Sequence, residues 1–180
     1  LRRQAQLLHA RPDLQIEPIR GNLDTRLRKL EDENFDAIIL ASAGLIRLGW
    51  GNRITEFLDP VLCVPAPGQA ALGIETRDGD ERVARFVAAL NDSDTFRDVV
   101  AEREMLRVLE GGCRVPIGAW ARVNNEGFLL TGVVATPDGQ RVIKESILGQ
   151  MEAPEMLGRD VAGKLKSLGA EEILANLEDS

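Results

Sequence analysis

Of the two thiols in this 180-residue chain, one is set where it could react. Cys113 stands in Glu110-Gly111-Gly112-Cys113-Arg114-Val115-Pro116, between a predicted helix and a predicted strand. Two glycines leave the backbone uncrowded for a bulky electrophile, and the neighbouring Arg114 favours the thiolate, the nucleophilic form. The same residues also describe a small packed thiol beside a glycine helix end, and that is the commoner circumstance for a free cysteine. Cys63, inside the apolar run Val61-Leu62-Cys63-Val64, reads as packing.

Five arginines, Arg2, Arg3, Arg20, Arg26 and Arg47, fall near predicted turns or element ends. From such places guanidinium forks can converge on one cleft and pair bidentately with carboxylates. Arg20, ahead of Gly21-Asn22 at the carboxyl end of a predicted strand, points to the crevice where open α/β sheets bind ligands. Taken singly, each reads first as a solvated surface arginine. The charge distribution supports an anionic ligand in the first third: residues 1–53 hold nine Lys/Arg and seven Asp/Glu, the rest thirteen and twenty-two, so +2 and −9 make up the net −7. That overall charge argues against a nucleic-acid partner. His9, the sole histidine, receives no role, and with two distant cysteines a zinc site is not expected. No dinucleotide fingerprint, P-loop or acid–base carboxylate pair stands out.

The elements that must carry these side chains follow from periodicity and breakers. A helix over Gln4–Arg11 stops at Pro12, and Leu14–Ile19 alternates as a strand. Leu23, Leu27 and Leu30 mark an amphipathic helix, and Asp36–Ala41 reads as a buried parallel strand, giving a strand–helix–strand unit. Short helices are predicted over Ala43–Leu48 and Asn52–Leu58. Pro60, Pro65, Pro67 and Gly68 then mark an interdomain crossing. Beyond it come a strand at Ala71–Thr76 and helices over Asp80–Leu90 and Asp92–Glu110, the latter with Phe96, Val99, Val100, Leu106 and Leu109 inward and a glycine stop at Gly111-Gly112. Strands Ile117–Val123, Phe128–Thr136 and Val142–Ile147, joined by two hairpin-type turns, precede helices Pro154–Ser167 and Glu171–Asn176. The expected fold is α/β in the first part, then a small α+β domain with a three-stranded antiparallel sheet and helices.

No apolar stretch is long enough for a membrane span and no signal peptide is recognisable, so a cytoplasmic protein is expected, with neither disulfides nor a membrane partner. The abrupt opening at Leu1-Arg2-Arg3, without Met, suggests a fragment.

The order of several motifs resembles the porphobilinogen deaminase (hydroxymethylbilane synthase) family. They are Leu1-Arg2-Arg3-Gln4, Arg20-Gly21-Asn22 with Thr25-Arg26, Ala43-Gly44-Leu45 with Arg47-Leu48-Gly49, Pro67-Gly68-Gln69, and Glu110-Gly111-Gly112-Cys113 with Val115-Pro116-Ile117-Gly118. The likeness runs on to Gly169-Ala170-Glu171-Glu172-Ile173-Leu174. It implies a transferase of porphyrin and haem biosynthesis that condenses four porphobilinogen molecules head to tail into hydroxymethylbilane, releasing ammonia. It also implies a dipyrromethane cofactor in thioether linkage to Cys113, with Arg2, Arg3, Arg20 and Gln69 binding the cofactor. Arg20, Arg26 and Arg47 would bind substrate carboxylates.

By the same resemblance, residues 1–64 are the later part of a second, periplasmic-binding-protein-like (doubly wound) domain. Residues 65–90 are the hinge crossing and the return to a first domain, and 91–180 form the α+β domain carrying the cofactor cysteine. Two departures stand out. Ala70 follows Gln69 where the family usually has glycine, and the family's catalytic aspartate belongs to an N-terminal domain with no counterpart here. No catalytic residue is therefore assigned within the chain, which is expected to be inactive alone and without its cofactor. The intact protein is expected to be monomeric, with that domain as the intramolecular partner. A non-catalytic anion- or effector-binding module of the same fold is the alternative, and a purely structural fragment a third reading. Cys113 discriminates, since a binding module has no use for that thiol.

Overall fold

A computed structural model of the chain describes residues 1–32, 35–110 and 115–178. Local chemistry explains its best-formed part. Asn124 Oδ1 accepts the N–H groups of Glu126 and Gly127 at 2.9 and 3.1 Å, and Gly127 takes the left-handed φ of +132° that closes the first hairpin. The turn pins the register of β1 (Ile117–Asn124) on β2 (Gly127–Ala135), setting Ala119 opposite Gly132 and Ala121 opposite Leu130. β3 (Val142–Gly149) pairs with β2, and the antiparallel order is β1-β2-β3.

With period 2, Ile117, Ala119 and Ala121 share one face with Phe128, Leu130, Val134 and Ile143. Two helices cover that face: α5 (Ser93–Val108), through Ala101 and Met105 with Leu109 at its C-terminal cap, and α6 (Pro154–Ser167), through Leu157, Val161, Ala162 and Leu165. α7 (Ala170–Glu178) closes the cluster with Ala170 and Ile173. Asp92 starts α5 by accepting the Thr95 N–H at 2.8 Å, and Pro154 begins α6, where its missing N–H costs nothing. β2 is buried on its second face as well, with Thr131 and Val133 shielded. α1 (Arg2–Ala10) lies against this side, Ala5 fully buried, and a Cβ on Gly139 would meet the Ala5 carbonyl at 2.5 Å. The close approach of α1 to the second hairpin therefore requires glycine there.

The first ninety residues contain α2 (Leu23–Asp32), α3 (Ser42–Arg47), a single 3₁₀ turn at Gly51–Arg53 and α4 (Glu81–Ala88), which Asp80 caps. Several expectations are corrected. Leu14–Ile19, 36–41 and 71–76 are not strands, so the strand–helix–strand unit is not formed among the described residues. A strand needs a ladder partner, and the apolar pattern cannot supply one. The helix expected over Asn52–Leu58 shrinks to the 3₁₀ turn, and Phe96 is 60% exposed rather than inward. At 3.6 residues per turn Phe96 lies roughly half a turn from the Ala101–Met105–Leu109 stripe, which packs into the core against the sheet. α5 ends at Val108 with Glu110 at φ +55°; the expected stop at Gly111-Gly112 lies outside the described residues.

Candidate functional site

The site is built on α1. Gln6, one turn beyond Arg2 and Arg3, is buried and reads both polar groups of Val64: its Oε1 accepts the Val64 N–H at 2.8 Å and its Nε2 donates to the Val64 carbonyl at 3.1 Å. The same amide donates to the Arg2 carbonyl at 3.2 Å. Val64 is fully buried, and the adjacent Pro65 carbonyl accepts the Ala119 N–H at 2.9 Å. The Pro-rich 60–68 segment is thus stitched to α1 on one side and to β1 on the other. The stitching aims Arg2 and Arg3 into a cavity of about 490 Å³.

α1, α2, α3, residues 36–41 and 54–58, and the 63–65 segment wall this cavity, with Gln69 at its edge. Arg3 donates to the Ile39 carbonyl and Arg2 to Gln69 Oε1, both at 3.4 Å. Burial, reinforced by the like charge of Arg3, lowers the Arg2 pKa, while Cys63 acts in the opposite sense. Its buried Nε has no hydrogen-bond partner among the described residues. A guanidinium so placed gains from an anion, which would restore a bond and offset the neighbouring charge.

Cys63 also lines the cavity and is only half-buried, not the packed residue its apolar neighbours suggest. Burial pushes its thiol upward, against the pull of Arg3, Arg2 and Lys144, and this disfavours the thiolate. Gln69 sits in a turn where Gly68 has φ +69° and Ala70 φ +72°. Its side-chain oxygen also accepts the Ala66 N–H at 3.3 Å. The glycine-favouring conformation at Ala70 gives the departure noted in the sequence a physical meaning.

Arg20, Arg26 and Arg47 do not line this cavity. The Arg20-Gly21-Asn22 motif forms the start of α2: Asn22 Oδ1 accepts the Thr25 N–H at 2.8 Å, Gly21 has φ +128°, and Arg26 Nε donates to the Gly21 carbonyl at 2.7 Å. Arg20 and Arg47 are exposed, the latter at the last turn of α3. Cys113 and Arg114 lie outside the described residues. Among the described residues no group of three or more His, Cys, Asp or Glu could hold a metal, and no helix is long and apolar enough to cross a membrane.

Sequence reasoning missed Gln6 and Cys63 as site-builders, and it missed Glu102, buried on α5. For Glu102 a signal existed: an acid three residues before Met105 and seven before Leu109 occupies the apolar stripe of its helix.

Comparison with known proteins agrees along the chain. Residues 1–85 match the family model described as "Porphobilinogen deaminase, dipyromethane cofactor binding domain", and residues 96–167 match "Porphobilinogen deaminase, C-terminal domain". A porphobilinogen deaminase of Halalkalibacterium halodurans is 52% identical over 180 residues, covering 99% of this chain and 57% of the relative. One from Bacillus cereus is 52% identical over 176 residues, 97% of this chain and 56% of that protein. The chain thus spans a little over half the length of the curated relatives it matches.

Proposed function

The chain belongs to the porphobilinogen deaminase family, and from that premise we propose that it supplies the cofactor-carrying part of a hydroxymethylbilane synthase. The reaction is the head-to-tail condensation of four porphobilinogen molecules, each losing ammonia. It belongs to the tetrapyrrole route to porphyrin and haem, carried out by a monomer in the cytoplasm with neither nucleic acid nor membrane as partner. In this reading the first part of the chain completes a periplasmic-binding-protein-like domain together with further strands. The helix-covered sheet is the third domain.

The observation that carries the proposal is the Arg2–Arg3 pair, aimed by the Gln6 clamp into one cavity with Gln69 at its edge. Each pyrrole of substrate and cofactor bears an acetate and a propionate. An arginine with a buried, unpartnered Nε beside a second guanidinium fits such carboxylates. Arg2, Arg3, Arg20 and Gln69 would hold dipyrromethane, and the Cys113 sulfur would bind it covalently. When bound, the cofactor supplies the primer on which the pyrrole chain grows. The protein's own part is to neutralise and orient carboxylates, with Arg20, Arg26 and Arg47 taking those of incoming substrate. Orientation of this kind removes much of the entropic barrier between two large, like-charged reactants. The raised Cys63 thiol is unsuited to compete for the cofactor.

The test is a chimera in which this chain replaces the matching segment of the Halalkalibacterium halodurans relative. We expect it to consume porphobilinogen and to carry a covalent adduct by intact mass. Cys113→Ala should lose the adduct and Cys63→Ala should keep it. An adduct retained after Cys113→Ala refutes the assignment, and an unmodified, ligand-binding wild type favours the effector-binding module. The 180-residue chain alone is proposed not to turn over, because the family's catalytic aspartate has no counterpart in it. Hydroxymethylbilane formed by the chain alone would refute that part.

A further inference from the structure

Glu102 has no part in the proposed chemistry, yet its carboxyl is buried on α5 at 7% exposure. Its two oxygens serve two distant segments. Oε2 accepts the Gly68 N–H at 2.7 Å, and Oε1 accepts the Ala121 N–H of β1 at 2.8 Å. The first of these segments is the turn that carries Gln69. Inside that turn Gln69 N–H donates to the Ala66 carbonyl at 2.9 Å and Ala71 N–H to the Gly68 carbonyl at 3.2 Å. Ala70 adopts φ +72°, a conformation that costs an L-residue about 1–2 kcal/mol and so persists only where the surroundings hold it.

We propose that Glu102 is a positioning residue, which anchors the 66–71 turn to β1 through the Gly68 N–H and so sets where Gln69 meets Arg2 at the edge of the cavity. The consequence for function rests on the proposed carboxylate-binding role of Arg2 and Gln69. The anchor itself rests only on the two bonds.

The glutamate carboxyl suits this task. It offers an acceptor oxygen to each of two converging N–H donors, whereas an isosteric glutamine offers one oxygen and sets its own N–H against the other donor. Burial is the main force pushing the Glu102 carboxyl up to about 7, and Asp98, one turn earlier on α5, adds to it; the two N–H bonds act in the opposite direction. The other charged groups nearby are engaged elsewhere. Arg97 pairs with Asp98 at 2.7 Å. On the turn side Arg2 reaches Gln69, and on β1 Arg122 stacks 3.7 Å from the centre of the Trp120 ring.

The experiment is amide hydrogen exchange and two-dimensional NMR on the 180-residue chain and its Glu102→Gln variant, without ligand. In the variant, protection at Gly68 or Ala121 should fall roughly tenfold or more, the scale of a lost bond to a charged acceptor. The Gln69 side-chain amide should shift with it. If both amides keep wild-type protection and Gln69 does not move, Glu102 merely fills space and the proposal is overturned. Should the variant not fold, wild type decides. The Gly68 and Ala121 amides should both be protected from exchange in it, and rapid exchange at both overturns the proposal equally. Failure of the proposed function shows separately, in the mass of the Cys113 chimera.

Discussion

Replacing Gln6 by alanine removes the clamp that fixes the segment around Val64 to α1. Two buried backbone groups lose their partners: the Val64 N–H, now 2.8 Å from Gln6 Oε1, and the Val64 carbonyl, 3.1 Å from Nε2. Val64 is fully buried, so water does not replace either bond without opening the structure. An unsatisfied buried donor or acceptor costs about 1–3 kcal/mol, and two such groups with partial relaxation toward the cavity give about 2–4 kcal/mol. Against a typical total of about 5–15 kcal/mol, such a loss is large. Urea unfolding followed by the fluorescence of Trp50 and Trp120 measures it, as a lower midpoint at unchanged slope. Gln6→Met keeps the volume but neither bond, and it should lose nearly as much. A Gln6→Ala change within about 0.5 kcal/mol of wild type would refute the reasoning, as would a Gln6→Met protein as stable as wild type.

Ala70→Gly should raise stability by about 0.5–1 kcal/mol, because release from φ +72° outweighs the entropy glycine adds to the unfolded chain; a lower urea midpoint would contradict this. Gly132→Ala should lower stability by about 1–3 kcal/mol by overpacking, since its Cβ would meet Met105 Sδ at 2.6 Å and Val161 Cγ1 at 2.8 Å; an unchanged thermal midpoint would contradict it. The Glu102 carboxyl, raised from 4.5 to about 7, binds its proton more tightly folded than unfolded. The resulting stability is fully present below the unfolded value and is lost as pH rises through about 7, up to about 3 kcal/mol in all. Wild type minus Glu102→Gln, measured by urea unfolding from pH 4 to 8, should show that decline, and a flat difference would contradict it.

The parts of this protein legible in the sequence are those decided within a few residues. The Asn124–Gly127 turn, the alternation in Ile117–Asn124 and the Pro154 start of α6 each carry their own signal, and β1–β3, α5 and α6 stand close to where periodicity puts them. Arg2 and Arg3 were legible only as two of five arginines near turns and element ends. What the sequence could not decide was partnership. Leu14–Ile19 and 36–41 have strand-like patterns, but a strand exists only with a neighbour to exchange hydrogen bonds, and among the described residues they have none.

The candidate site divides in the same way. The Cys113 motif and the arginine motifs were recognisable as types of residue in order. Tertiary structure selected Arg2 and Arg3 for the cavity and put Arg26 Nε on the Gly21 carbonyl. It alone revealed that Gln6 and Glu102, polar residues on two helices, are buried to satisfy backbone groups 58 and 34 residues away, at Val64 and Gly68. Periodicity records which face of a helix is apolar, whereas the partner of a buried polar group depends on which distant backbone the fold brings against it.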